Sequence, residues 1–138
     1  MNVAFGTDEH TALTDAVRAE LERRGHTVIS VDDGQWVEVG RLVGEAVASG
    51  GCDIGVLFCW TGTGASIAAN KVPGIRAALC SDATTAAGAR KWNDANVLAL
   101  SLRSTSEAEL GEILDAWFAT DASGVADDRA NVEHLGEI

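Results

Sequence analysis

The 138-residue sequence predicts an α/β protein, a three-layer αβα sandwich around a Rossmann-like parallel sheet of about five strands. Short apolar runs alternate with segments of helical periodicity about five times along the chain. The run at residues 54–58 is continuous and bounded by turn-forming residues, as is typical of a strand buried on both faces. No linker or internal repeat divides the chain, so residues 1–138 are expected to form one domain with a C-terminal tail at 120–138.

The expected elements follow from periodicity and from end signals. They are strand 2–5, a helix ending near Arg24, strand 27–31, helix 36–48, strand 54–58, helix 65–70, strand 75–79, helix 82–91, strand 96–100 and helix 105–118. Thr7 and Asp8 are expected to cap the first helix and Asp82 the fourth. A turn is expected at residues 32–34, and the tail ends in a short helix.

The carboxyl ends of the predicted strands form the expected binding edge. In open parallel sheets, ligands bind beyond these ends, near the point where the strand order reverses. Four loops lie at this edge in the predicted fold, at residues 6–10, 59–64, 81–82 and 101–103.

A thiol, a glycine-containing turn and the start of a helix follow the central strand. Cys59 ends the strand, and Gly62 and Gly64 allow the backbone to approach a ligand closely. Turn N–H groups and the positive end of the helix dipole there favour a small anion or an oxyanion. From these residues alone two interpretations are open, because a cysteine at a strand end is either a reactive group or a small core residue.

Composition and charge exclude several classes of function. The formal net charge of −11 disfavours nucleic acid and anionic membranes as partners. No apolar run approaches the roughly 20 residues that span a bilayer, and the N-terminus lacks a signal sequence, so a cytoplasmic protein is expected. Cys52, Cys59 and Cys80 have neither Cys-x-x-Cys nor Cys/His spacing, which predicts reduced thiols and no metal site.

Two long motifs closely resemble the type B ribose-5-phosphate isomerases and the related galactose-6-phosphate isomerase subunits. The motifs are TGTGASIAANKVPGIRAALC at residues 61–80 and NDANVLAL at residues 93–100, and the start GTD at residues 6–8 is also similar. The resemblance covers nearly the whole chain. It implies an aldose–ketose isomerase that works through a cis-enediol(ate) without metal or organic cofactor. It also implies a homodimer with active sites at the subunit interface; pairing of dimers into tetramers is left open.

The resemblance implies roles for individual residues. Cys59 would be the base that moves a proton between C1 and C2, and Thr61 would assist opening of the sugar ring. Asp8 and Asn93 would hydrogen-bond the sugar hydroxyls, with Asn93 supplied by the partner subunit. The other residues implied at the substrate are Glu9, His10, Trp60, Gly62, Thr63, Gly64, Ser66, Trp92, Arg103 and Arg129.

The sequence departs from the family pattern in the first loop and around the thiol. Either Glu9 or His10 could occupy the position of the family's first-loop histidine. Trp92 replaces a histidine that acts as an acid in ring opening, and Trp60 replaces a glycine. Because an indole N–H cannot transfer protons near neutral pH, Trp92 cannot take over that role.

The tail departs from the family's phosphate-binding pattern. Neither of the two tail arginine positions keeps its arginine, and Asp127 and Asp128 occupy this stretch. Arg103 matches a third family arginine, and Arg129 could reach the site from a new position. The expected substrate is therefore a pentose-like sugar or sugar phosphate, with a neutral or differently substituted sugar favoured.

Two alternative functions remain. One is a non-catalytic sugar-binding subunit of a hetero-oligomeric isomerase, in which Trp60 and Trp92 fill an inactive site. The other is an epimerase that uses the same proton transfer on a specialised sugar.

Overall fold

A computed structural model describes residues 1–31 and 34–138 of the chain. Its strands are β1 (Asn2–Thr7), β2 (Thr27–Ser30), β3 (Ile54–Cys59), β4 (Ala77–Leu79) and β5 (Val97–Ser101). Its helices are α1 (Ala12–Arg23), α2 (Trp36–Ala48), α3 (Thr63–Asn70), α4 (Ala83–Asn93), α5 (Glu107–Ala119) and α6 (Ala126–Leu135). The five strands form one parallel sheet in the order β2-β1-β3-β5-β4. The predicted α/β fold is confirmed.

The helices cover both faces of the sheet, because the strands are apolar on both sides. Helices α1, α4 and α5 pack on one face, where Trp117 and Phe58 are the largest fully buried side chains. Helices α2 and α3 pack on the other face, against Ala4, Leu57 and Ala99. Within the described residues, no helix is long and apolar enough to cross a membrane.

Helices α2 and α3 approach each other closely through two glycines of α2. A methyl group at Gly40 would lie 2.4 Å from the carbonyl oxygen of Ala65 and 2.6 Å from Cβ of Ala68. One turn later, a methyl group at Gly44 would lie 2.9 Å from Cγ2 of Val72. Glycine at both positions therefore fixes where α3 lies on the sheet.

The first helix begins later than the sequence predicted. Its N-cap is Thr11, whose hydroxyl accepts a hydrogen bond from the Thr14 amide at 3.3 Å, while the Thr14 hydroxyl accepts one from the Thr11 amide at 2.9 Å. The predicted caps Thr7 and Asp8 are not used, because β1 continues to Thr7 and Asp8 lies in the loop that follows. Asp82 caps α4 as predicted, and the expected turn at Asp32 and Asp33 lies outside the described residues.

The tail contains a ten-residue helix, α6, which lies against α4. Ser123 connects the two helices, because its amide donates to the carbonyl oxygen of Lys91 at 2.8 Å. Its hydroxyl donates to Asp128 at 2.6 Å, in the first turn of α6. Every residue of α6 retains some contact with solvent in this chain.

Candidate active site

Three neighbouring strands end side by side at the candidate site. Thr7 of β1 pairs with Phe58 of β3, and Cys59 of β3 pairs with Ser101 of β5. The strand order reverses between β1 and β3, which is where open parallel sheets bind ligands. The loops at residues 6–10, 59–64 and 101–103 therefore converge on one edge of the sheet.

Cys59 is only 4% exposed and belongs to the apolar cluster between the sheet and helices α2 and α3. Hydrogen bonds hold the backbone carbonyl groups of Cys59 and of the residue that follows it. The Leu102 amide donates to the Cys59 carbonyl oxygen at 3.1 Å, and the Arg103 amide donates to that of Trp60 at 2.9 Å. The Ser101 hydroxyl also donates to the Trp60 carbonyl oxygen, at 3.0 Å. The end of β5 and the loop that follows thus hold the backbone at Cys59 and Trp60 in place.

Gly62 is the N-cap of α3 and takes a left-handed conformation with φ +80°. A side chain there would also be too close to its neighbours, since a methyl group would lie 2.5 Å from Cδ1 of Leu79 and 2.9 Å from the Leu100 carbonyl oxygen. Glycine has no side chain to accept hydrogen bonds from the first helical N–H groups, which have no partners within the helix. These groups are available to an anion or an oxyanion near Cys59.

The sequence predicts that Gly62 and Gly64 belong to one turn, whereas in the structure they have different roles: Gly62 is the N-cap of α3 and Gly64 lies within the helix. Gly64 already lies in the first turn of α3, beneath the indole ring of Trp36. The hydroxyls of Thr61 and Thr63 are 2.7 Å apart, so they hydrogen-bond to each other across the turn. Ser66 is buried one turn further on, and its amide donates to the Gly62 carbonyl oxygen at 3.2 Å.

Asp8 brings an unpaired carboxylate oxygen to the same edge. Its Oδ1 atom is buried and has no hydrogen-bond partner among residues 1–31 and 34–138. Burial raises the pKa of this carboxyl group, the nearby charge of Glu9 adds to the rise, and a hydrogen bond to its own backbone opposes it. A buried polar atom without a partner is uncommon in folded proteins, which makes Asp8 a candidate for binding a ligand hydroxyl.

Three other predicted residues surround this edge. Glu9 and His10 are exposed in the loop after β1, where the Thr7 hydroxyl donates to the Glu9 carbonyl oxygen at 2.7 Å. Arg103 is exposed in the loop after β5. Both alternatives for the first-loop position, Glu9 and His10, are thus compatible with the structure.

Trp92, Asn93 and Arg129 lie far from Cys59 within one chain. Helix α4 starts after the carboxyl end of β4 and runs for 11 residues, roughly 16 Å, to the amino end of β5. Trp92 and Asn93 are its last two residues and therefore lie at the opposite edge of the sheet from Cys59. Trp92 and Arg129 line a common cavity of about 200 Å³ between α4 and α6, together with Lys91, Asp94, Ala122, Ser123, Asp128, Val132 and Glu133.

Trp36, which sequence reasoning assigned only to a helix start, adds a large aromatic surface to the site. It is the first residue of α2, at the same sheet edge as Cys59, and is 45% exposed. A methyl group at Gly64 would lie 2.7 Å from Cε3 of its indole ring. The sequence does carry a signal for this contact, because Trp36, Gly40 and Gly44 are four residues apart and share one helix face.

The fold and the site together define an α/β protein with a thiol at the carboxyl edge of the sheet, next to the N-terminus of an internal helix. The sequence profile of the family described as Ribose/Galactose Isomerase matches residues 3–135. The chain therefore belongs to this family of sugar isomerases.

Individual relatives agree with this assignment. Ribose-5-phosphate isomerase B of Escherichia coli is 40% identical over 131 residues, which cover 88% of this chain and 86% of the relative. The structure of ribose-5-phosphate isomerase B from Clostridium thermocellum matches with a TM-score of 0.93 and 37% identity, covering 99% of this chain and 96% of that one. Ribose-5-phosphate isomerase B of Mycoplasma genitalium, solved with bound ribulose-5-phosphate, matches with a TM-score of 0.91 and 27% identity, covering 99% and 94%.

Proposed function

We propose that this protein is an aldose–ketose isomerase in which Cys59 moves a proton between C1 and C2 of a sugar. Family membership supports the class of reaction, an intramolecular oxidoreduction of a sugar phosphate. The observation that carries the assignment of the base is the position of Cys59, which ends β3 shortly before α3, whose N-cap Gly62 offers no side-chain cap to the first helical N–H groups. A base and an oxyanion site at one place are what enolisation next to a carbonyl group requires.

The chemistry needs only proton transfers. In the thiolate form, Cys59 removes a proton from C2 of the open-chain aldose, and the electron pair moves through C1 to the carbonyl oxygen. The N–H groups of residues 62–64 stabilise the resulting cis-enediolate, and donors of this kind are typically worth about 10²–10³ in rate. A proton shifts from O2 to O1, and Cys59 returns its proton to C1. C1 is thereby reduced and C2 oxidised, so no external oxidant or organic cofactor is consumed.

Polar side chains at the same edge would position the sugar. Thr61 is the proposed partner of the ring oxygen during ring opening, and the Oδ1 atom of Asp8 is the proposed acceptor for a sugar hydroxyl. Because this oxygen is buried and no described residue hydrogen-bonds to it, binding a hydroxyl would remove an energetic penalty from the free protein. Thr63, Ser66 and Arg103 lie around the same loop and complete the proposed contacts.

The remaining proposed residues require a second copy of the chain. Trp92, Asn93 and Arg129 cannot meet Cys59 within one chain, because they lie at the opposite edge of the sheet. We propose a homodimer in which this edge of one protomer faces the Cys59 edge of its partner. Most homo-oligomers are closed and symmetric, so two such sites would form per dimer.

The proposed substrate is a pentose-like sugar, with or without phosphate. In the cavity that contains Arg129, the carboxylates of Asp128 and Glu133 are also present, and Ser123 holds Asp128 in place. Like charges in a poorly solvated site repel strongly. A phosphate dianion would therefore bind more weakly beside these carboxylates than beside a cluster of arginines. Trp92 instead offers a large apolar surface for the carbon skeleton, since its side chain is exposed.

A non-catalytic sugar-binding subunit is the second candidate, because Trp92 occupies the position from which an acid would act on the ring. An epimerase would use the same enediolate but return the proton to the opposite face of the same carbon.

Proton exchange in deuterated water tests the proposal. Wild type, Cys59→Ala and Cys52→Ala are incubated with free and phosphorylated tetroses, pentoses and hexoses, and exchange at C1 and C2 is followed by proton NMR. Cys59→Ala should lower the exchange rate at least about 100-fold, since it removes the base. Cys52 is a matched control, a second buried thiol that lies before β3, at the other end of the strand from Cys59.

The products separate the alternatives. A ketose formed from an aldose supports the isomerase, and an epimer with retained carbonyl position supports the epimerase. A wild-type protein that binds sugars without any exchange supports the binding subunit. Exchange that persists unchanged in Cys59→Ala would exclude Cys59 as the base.

A further inference from the structure

The Trp36 side chain forms a wall beside the thiol loop. Helix α2 begins at Trp36, after the carboxyl end of β2, and therefore at the same sheet edge as Cys59. Three atoms of the indole ring, Cε3, Cδ2 and Cζ3, would lie 2.7, 2.9 and 3.2 Å from a methyl group at Gly64. The ring thus lies directly on the backbone of the first turn of α3.

The position of this ring is fixed by the packing of the two helices. Gly40 and Gly44 follow Trp36 on the same face of α2 and allow the backbone of α3 to approach. Gly64 continues this contact at the N-terminal end of α3, where any side chain would displace the ring. Because the two helices pack backbone to backbone at these glycines, the ring lies next to the first N–H groups of α3.

Trp36 is nevertheless not a core residue. It remains 45% exposed, whereas Trp117, which packs in the core, is 1% exposed. The ring contacts Gly64, and the side chain is partly exposed at the edge where the reacting sugar would bind. Small-molecule sites are typically lined by apolar and aromatic side chains with a few polar groups that fix orientation, and Trp36 supplies such a surface beside the polar groups of the thiol loop.

We propose that Trp36 is a specificity-determining residue of the Cys59 site, which contacts the carbon skeleton of the sugar and limits the length of the substrate. This inference rests on the proposed sugar isomerase function. A rigid aromatic wall next to the oxyanion donors would also displace water from them, which strengthens their interaction with the enediolate. Removing the wall should therefore weaken binding of the preferred sugar and relax the discrimination against longer ones.

The test compares Trp36→Ala, Trp36→Phe and Val37→Ala with wild type. Val37 is the next residue of the same helix turn and is 47% exposed, so Val37→Ala removes a similarly exposed apolar group that is not among the nearest neighbours of a methyl group at Gly64. Steady-state kinetics are measured with four-, five- and six-carbon sugars and their phosphates, and thermal unfolding confirms that each variant is folded. Saturation-transfer NMR measures binding of the same sugars.

We expect Trp36→Ala to raise KM for the preferred sugar about tenfold, with a smaller change in kcat, and to shift the kcat/KM ratio about tenfold towards longer sugars. Trp36→Phe should give intermediate values and Val37→Ala should resemble wild type. A folded, active Trp36→Ala or Trp36→Phe with unchanged KM and an unchanged kcat/KM ratio between sugars would overturn this inference. The proposed isomerase function would not be affected by that result. If wild type binds sugars without turnover, the same comparison is made on the dissociation constants. If wild type neither binds nor turns over any sugar, the proposed function and this inference both fail.

Discussion

Asp8 is a proposed binding residue whose burial also affects stability. Its Oδ1 atom is buried and has no hydrogen-bond partner in the part of the chain that the structure describes, and burial raises the pKa of the carboxyl group. The charged form is therefore less favourable in the folded protein than in the unfolded chain, where an aspartate titrates near pH 3.9. Binding residues are often destabilising in this way, because their polar groups are prepared for a ligand.

Asp8→Asn should raise thermal stability near neutral pH and lower activity. Because the folded-state pKa is raised, the folded chain holds the proton more tightly, so stability is greatest below the unfolded-state pKa and decreases as pH rises through the folded-state value. The neutral amide does not have this pH dependence. The difference in melting temperature between Asp8→Asn and wild type should thus be larger at about pH 7 than at about pH 3.

Asp121→Asn, an exposed substitution in the tail, provides the control for this measurement. If the difference in melting temperature between Asp8→Asn and wild type were the same at both pH values, or larger at the lower pH, the account of Asp8 would be contradicted. Exchange kinetics on the same samples should show a loss for Asp8→Asn and none for Asp121→Asn.

At the scale of elements, the contact between α2 and α3 determines where the site lies. Helix α3 carries the N–H groups of the site at its start, and α2 holds it close through Gly40 and Gly44. The same contact brings Trp36 onto Gly64. A change in the distance between the two helices should therefore alter stability and chemistry together.

Gly40→Ala should destabilise the protein by about 1–3 kcal/mol, the usual cost of overpacking. The added methyl group would lie 2.4 Å from the Ala65 carbonyl oxygen and 2.9 Å from the Ala69 amide nitrogen, and backbone atoms cannot rotate away. Gly111→Ala, on α5, is the matched control. Apart from the backbone of its own helix, a methyl group there would meet no atom of the described residues within 4 Å. This substitution should stabilise by about 0.5–1 kcal/mol, since glycine within a helix is unfavourable.

Urea unfolding of both variants measures these free energies, and sugar isomerisation assays on the folded proteins measure the effect on the site. A neutral or stabilising Gly40→Ala would show that the two helices can separate without loss, and the close contact would then not be required.

At the scale of the whole molecule, the proposed site residues divide between two edges of the sheet. Cys59, Thr61 and Asp8 lie at the carboxyl edge, whereas Trp92 and Asn93 lie at the amino edge with Arg129 nearby. If both groups act on one sugar, two chains must contribute to each site. Half-exposed apolar side chains at both edges, among them Trp60 and Trp92, are compatible with burial in such an interface.

Subunit complementation tests this arrangement. Cys59→Ala and Asn93→Ala should each be nearly inactive alone, whereas co-expression of the two should form mixed dimers with one intact site. With random pairing, about a quarter of wild-type activity is expected, because half of the dimers are mixed and each has one of its two sites intact. Activity no greater than the sum of the separate variants would show that each site is built from one chain.

The sequence by itself determined the alternation of strands and helices, the five-stranded parallel sheet and the position of Cys59 at a strand end. These features depend on local properties: a short apolar run, turn residues on either side and helical spacing of apolar residues. It also determined the N-cap of α4, because Asp82 and the Thr85 amide that donates to its carboxylate lie within one turn. Resemblance to known isomerases then supplied the candidate chemistry that the local pattern left open, and the family is confirmed.

Tertiary structure decided what depends on residues distant in sequence. The contact of Trp36 with Gly64 follows from the packing of two helices, and the separation of Trp92 from Cys59 follows from the direction in which α4 crosses the sheet. The start of α1 at Thr11 depends on how far β1 continues along its neighbour, where Thr7 pairs with Phe58. Local periodicity does not encode these distances, because they arise only when the strands have paired and the helices have packed on the sheet.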